Sequence, residues 1–121
     1  DRVIAVDALS AREAARLCRA VQVTDAGIVP GSGVGNARSA LTEETLGVPV
    51  VAVGVPPVVD ASTLCADLSG AEIDLPEDTE LFVTPRDIDT RVRDSARLVG
   101  YAIDLALHDA LTIKDIDMFL A

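Results

Sequence analysis

The chain has 121 residues and a formal net charge of −10, and half of it is apolar with only two Phe, one Tyr and no Trp. That length argues for one domain, with a core of Val, Ile, Leu and Ala rather than aromatics. An acidic chain without a basic patch or an aromatic platform argues against direct nucleic-acid binding, which needs clustered Lys and Arg against phosphate. Solubility is the first reason for such a charge, and attraction of a basic protein substrate the second. Cys18 and Cys65 lie far apart, there is no CxxC, and His108 is the single histidine. A disulfide framework or a zinc site therefore has no basis, no metal or other cofactor is implied, and both cysteines read as buried thiols. No signal peptide and no apolar run long enough for a membrane span is visible, so no membrane role is expected. The chain starts at Asp1 and enters an apolar strand almost at once, which reads as a piece of a longer chain.

In chain order, Val3-Ile4-Ala5-Val6 is a continuous apolar run of strand length, suited to the middle of a parallel sheet. Ser10 and Glu13 form an S-x-x-E pattern that predicts a helix over about Ala11 to Arg19. Val21 to Thr24 is the second predicted strand. Asp25 to Asn36 follows, with three glycines in five residues at Gly31, Gly33 and Gly35. Thr42 starts a short helical turn that Gly47 ends. Pro49 to Val55 is the third predicted strand, and the Pro56-Pro57 pair breaks it. Asp60 caps a helix over about Ala61 to Leu68. Gly70 to Glu80 is acidic and irregular. Thr84 as N-cap, Pro85 at N1 and Asp87 at N3 start a long amphipathic helix reaching about His108. Thr112 begins a last short helix. Val-rich runs alternating with Ala/Leu-rich stretches indicate an α/β fold.

Three acids follow the predicted strands: Asp7, Asp25 and Asp60. If the strands are parallel, all three lie toward the carboxyl edge of one sheet, where open α/β sheets place their sites. Asp60 reads first as a helix cap. Asp25 reads equally as a site residue or as a side chain that closes the glycine loop. Asp7 follows four apolar residues directly, an environment that suits a carboxyl group handling protons. The glycine loop does not match G-x-G-x-x-G or G-x-x-x-x-G-K-[ST], so phosphate binding is a minor reading. Ser32 lacks the context of a nucleophile elbow. His108 near a helix end suits the helix dipole better than a catalytic dyad.

Four blocks resemble the germination protease family of spore-forming bacteria. They are Val3-Ile-Ala-Val-Asp7-Ala-Leu-Ser-Ala-Arg12; Asp25-Ala-Gly-Ile-Val-Pro-Gly-Ser-Gly-Val-Gly-Asn36; Glu44-Thr-Leu-Gly-Val-Pro-Val-Val-Ala-Val-Gly-Val-Pro56 with Val58-Val-Asp60-Ala; and Phe82-Val-Thr-Pro-Arg-Asp-Ile-Asp89. The resemblance implies an endopeptidase that degrades small acid-soluble spore proteins during germination. It further implies an inactive precursor, a homotetramer, a cytoplasmic setting in the spore core and an atypical aspartic mechanism. It carries one catalytic aspartate onto Asp7 and expects the second in an upstream segment outside these residues. Asp25, Gly31, Ser32, Gly33, Gly35 and Asn36 are then candidates for supporting the site or binding substrate. The fold implied is a three-layer α/β/α arrangement with a mainly parallel sheet, of which residues 1–121 form the C-terminal part of a single domain. Two departures stand out. The family commonly has Asp-Thr-Gly where this chain has Asp25-Ala26-Gly27, and the stretch from Asp60 to Phe82 is shorter. Because the second acid is expected outside these residues, a second reading stays open, that of a catalytically incomplete or non-catalytic α/β module for peptide binding or assembly.

Overall fold

A computed structural model describes residues 1–32, 38–72, 75–76 and 80–121. The chain divides into two compact units, Asp1–Ile88 and Asp89–Ala121. The first unit holds strands β1 (Val3–Ala11), β2 (Gln22–Thr24), β3 (Val50–Asp60) and β4 (Phe82–Val83), with the short helix α1 (Glu43–Leu46) and helix α2 (Ala61–Ser69). The second is formed by most of α3 (Ile88–Leu107) together with α4 (Ile113–Leu120).

Strand β3 is the centre of the sheet. It pairs with β1 on one side in parallel, from Val3↔Val50 to Ala11↔Val59. On the other side it pairs antiparallel with β2 at Ala52 to Gly54 and with β4 at Val59 and Asp60. The sheet is therefore mixed. The expectation of a mainly parallel sheet is overturned, because only β1 and β3 run together. The apolar runs that suggested buried parallel strands do describe β1 and β3. β2 differs: all three of its residues are exposed, as an antiparallel edge strand permits.

The core follows the same plan. Val50, Ala52, Val53 and Val59 of β3 are buried together with Ala5 and Ala11 of β1. Small residues at Ala5 and Ala52 form one buried paired row.

Several local expectations change for non-local reasons. β3 does not break at Pro56-Pro57 but continues to Asp60, and its register against β1 shifts between Ala8 and Ser10. The proline pair occupies that irregularity, a position where strands tolerate residues lacking an N–H. Their carbonyls remain in use: Cys18 N donates to Pro56 O at 2.8 Å, and Thr84 Oγ1 donates to Pro57 O at 2.9 Å. With β3 prolonged, β1 also runs on to Ala11, so Ser10 pairs with Val58 and does not cap a helix. Only a single 3-10 turn, Ala14–Arg16, remains of the expected helix, and Ala14 N donates to Asp67 Oδ2 of α2 at 2.7 Å. Thr84 is likewise drawn to the sheet, and α3 starts at Ile88. Cys18 and Cys65 form no disulfide and are half-buried, since neither enters the small core around β3.

Where the signals are local they hold. Thr42 caps α1 in a reciprocal box with Thr45, and Gly47 ends it. Asp60 caps α2 through Ser62 N and Thr63 N and also accepts the Ser62 hydroxyl. Thr112 and Asp115 form the same kind of box at α4. In the helical unit Val99 and Ile116 are buried, and the rings of Tyr101 and Phe119 stack with centroids 6.3 Å apart.

Candidate functional site

Asp7 lies in the middle of β1, not at its end, because the strand runs four residues further. In the sheet it pairs with Gly54, and Gly54 pairs on its other side with Gln22. Asp7, Gly54 and Gln22 therefore form one row and point to one face. The preceding row on that face is Ala5, Ala52 and Thr24, and the next residue along β1 on it is Leu9. At Gly54 a Cβ would fall inside the Leu9 side chain, whose Cγ stands 2.6 Å from the Cβ position. The absence of a side chain at Gly54 is thus what lets Leu9 pack across the central strand. Asp7, in the same row as Gly54, is half-buried.

The glycine loop reaches this row. Gly31 N donates to Asp7 Oδ2 at 3.4 Å, joining residues 24 positions apart. The loop can turn its N–H this way because Gly31 has φ +76°, a left-handed conformation that costs glycine nothing. An Ile28–Leu41 bridge and the hydrogen bond from Arg38 N to Pro30 O (2.9 Å) tie the loop's two ends together. Ser32 is exposed, and its N–H donates to Val29 O at 3.2 Å. Gly33, Gly35 and Asn36 lie outside the described residues.

Asp25 is not brought to Asp7. β2 runs antiparallel, so the residue after Thr24 lies toward the start of β1 and β3, away from their carboxyl ends. The expected gathering of Asp7, Asp25 and Asp60 along one carboxyl edge fails for that reason. Asp25 is exposed and its carboxylate accepts no hydrogen bond among the described residues, while Thr24 Oγ1 closes the turn by accepting from Ala26 N at 3.1 Å. Asp60 is at the carboxyl end of β3 and is occupied as a cap. The Ser62 hydroxyl, with the Ser62 and Thr63 N–H groups, holds its carboxyl below the usual carboxylate range. Gln22 and Gly54 border Asp7 but carry no sequence signal of their own. Only the pairing of β3 with both neighbours reveals them.

No group of three or more His, Cys, Asp or Glu side chains among the described residues is placed to hold a metal ion. No helix there is long and apolar enough to cross a membrane.

The family model described as germination protease matches residues 1–71, the stretch that contains β1, the glycine loop and β3. The chain belongs to the germination protease family. A germination protease of Clostridium tetani is 36% identical over 152 aligned positions, covering 99% of this chain and 47% of that protein. Germination proteases of Bacillus pumilus and Halalkalibacterium halodurans are 58% and 60% identical over 67 residues, 55% of this chain and 18% of each of theirs. The chain spans about half the length of the curated clostridial relatives it matches. The clostridial alignment is longer than the chain itself, so those relatives carry residues inside the matched span that this chain lacks.

Proposed function

We propose that these residues are the C-terminal part of an endopeptidase domain that degrades small acid-soluble spore proteins by an atypical aspartic mechanism. Asp7 supplies one of two carboxylates, and the second comes from a segment upstream of these residues. The observation that carries this reading is the Gly31 N–H donated to Asp7 Oδ2 from a loop inside the family-matching stretch. It ties the loop to a half-buried aspartate in the row that Asp7 shares with Gly54 and Gln22.

Two carboxyl groups at close range share one proton, since like charges keep one of them neutral. The ionised group takes a proton from a water as its oxygen attacks the scissile carbonyl carbon. The protonated partner gives its proton to the carbonyl oxygen. Collapse of the tetrahedral intermediate breaks the C–N bond, and the amine nitrogen leaves with a proton. Gly31 orients Asp7. Ser32, Gly33, Gly35 and Asn36 are the candidates for binding substrate, and backbone N–H groups of this loop polarise the scissile carbonyl. Asp25 acts at the base of the loop rather than on the substrate.

By the same family reading the protein works in the cytoplasm of the spore core, is made as an inactive precursor and assembles as a homotetramer. The test is incubation of the complete polypeptide containing these residues with a small acid-soluble spore protein, followed by mass spectrometry. Discrete internal fragments are expected, and intact substrate overturns the reading. A second reading is a non-catalytic module for peptide binding or assembly, in keeping with Ala26 standing where the Asp-Thr-Gly pattern has threonine. Binding without cleavage would select it.

A further inference from the structure

The helical unit, Asp89–Ala121, holds a groove of about 420 Å³ that takes no part in the chemistry above. Leu98, Tyr101 and Leu105 of α3 line it, with Ile113, Ile116 and Leu120 of α4. On each helix the three stand at i, i+3 and i+7, the spacing of a single face. Of the six only Ile116 is buried, while Leu98, Ile113 and Leu120 are 61%, 71% and 55% exposed. A continuous apolar face of this kind, open to water, marks a surface for another chain.

The charges beside the groove select that chain. On α3 the stripe Asp94, Leu98, Tyr101, Leu105 follows the four-three alternation of a helix-pairing seam. Arg97 lines the groove before Tyr101, and Asp104 stands two helical turns further along the same flank, after Tyr101. Both are exposed, and neither makes an ion pair among the described residues. The sign of the flank thus reverses at Tyr101. A second α3 laid antiparallel about a two-fold axis at Tyr101 brings Arg97 of each copy to Asp104 of the other, and Leu98 to Leu105. A parallel copy would set like charges at the same level. The antiparallel contact is self-complementary, so it closes on two copies. Unlike charges at the rim of such a face fix partner and register more than they add affinity.

We infer that the α3–α4 face is an interface between two copies of this polypeptide, paired antiparallel through α3 and keyed by Arg97 and Asp104. The inference rests on the homotetramer reading only for the size of the full assembly: two such pairs make four copies, and one pair stands without it.

The experiment is analytical ultracentrifugation of the complete polypeptide over a concentration series, with circular dichroism and a thermal melt on each variant. Arg97→Asp puts a carboxylate against Asp104 of the other copy, and Asp104→Arg puts a guanidinium against Arg97. Each should weaken association at least about tenfold and halve the mass of the assembly, since facing like charges are costly. Leu98→Lys should do the same. Arg97→Asp/Asp104→Arg restores unlike pairs and should assemble like the parent. An equimolar mixture of the two single reversals should also assemble, because each supplies the charge the other lacks. Where a reversal unfolds the chain, Arg97→Gln and Asp104→Asn take its place, each weakening association about two- to fivefold. A parent that is monomeric throughout, reversals that keep the parent's mass, or a mixture that stays dissociated overturns the interface. A lowered melting temperature at unchanged mass means that another segment of the same chain covers the groove, and also overturns it. A parent of two copies that either reversal splits into single chains supports the interface and removes only the homotetramer.

Discussion

At Asp60 a single side chain holds three donors, the N–H groups of Ser62 and Thr63 and the Ser62 hydroxyl. These bonds favour the ionised form and lower its pKa in the folded chain. The stabilisation is therefore fully present above the ordinary carboxylate pKa near 3.9, and is lost as pH falls through the lower folded value. Asp60→Ala should cost about 1 kcal/mol at neutral pH. In thermal melts the gap between variant and parent should narrow at about pH 3, below that ordinary value. Gly31 is the counterpart in the site. With φ at +76°, Gly31→Ala should cost about 1 kcal/mol or more and loosen the hold on Asp7. Melting temperature reports the first effect and the cleavage rate the second. Both residues stood out in the sequence, Asp60 as a cap and Gly31 as part of a glycine cluster. The contact from Gly31 to Asp7 did not, because nothing local to either residue specifies it.

Among the elements, the legible ones were those decided within one turn of helix. The boxes at Thr42 and Thr112 and the cap at Asp60 depend on partners two or three residues away. The misread ones were decided across the sheet. Ser10 carries a good capping pattern, yet pairing with Val58 claims its backbone. Pro56-Pro57 reads as a break, yet the bulge against β1 absorbs it. Thr84 reads as a cap, yet its hydroxyl serves the Pro57 carbonyl. Gly54 tests this view of β1 and β3. In Gly54→Ala the new methyl enters the Leu9 side chain, which should cost about 1–3 kcal/mol as overpacking in denaturant unfolding. Adding Leu9→Ala should cost less in that background than in the parent, because the two residues share one space. Equal costs in both backgrounds would separate Leu9 from Gly54.

For the molecule as a whole, a mixed sheet has one face row, Val6, Val53 and Val23, whose outer members are 55% and 67% exposed. Such apolar surface favours association. Residues 1–121 alone should therefore sediment as concentration-dependent oligomers, and Val6→Lys/Val23→Lys should shift them toward monomer. Family membership and the α/β character were legible because the matching blocks coincide with β1, the glycine loop and β3. The strand directions were not, since the exposed three-residue β2 carries no mark of which way it runs. Asp7 is the point where sequence block, sheet centre and loop contact meet. The most direct measurement is the rate at which the complete polypeptide cleaves a small acid-soluble spore protein, compared with its Asp7→Asn variant at matched folding. Loss of at least about a hundredfold is expected, the scale of removing one acid–base group. A variant rate within about twofold of the parent, far below any acid–base contribution, would contradict the role of Asp7.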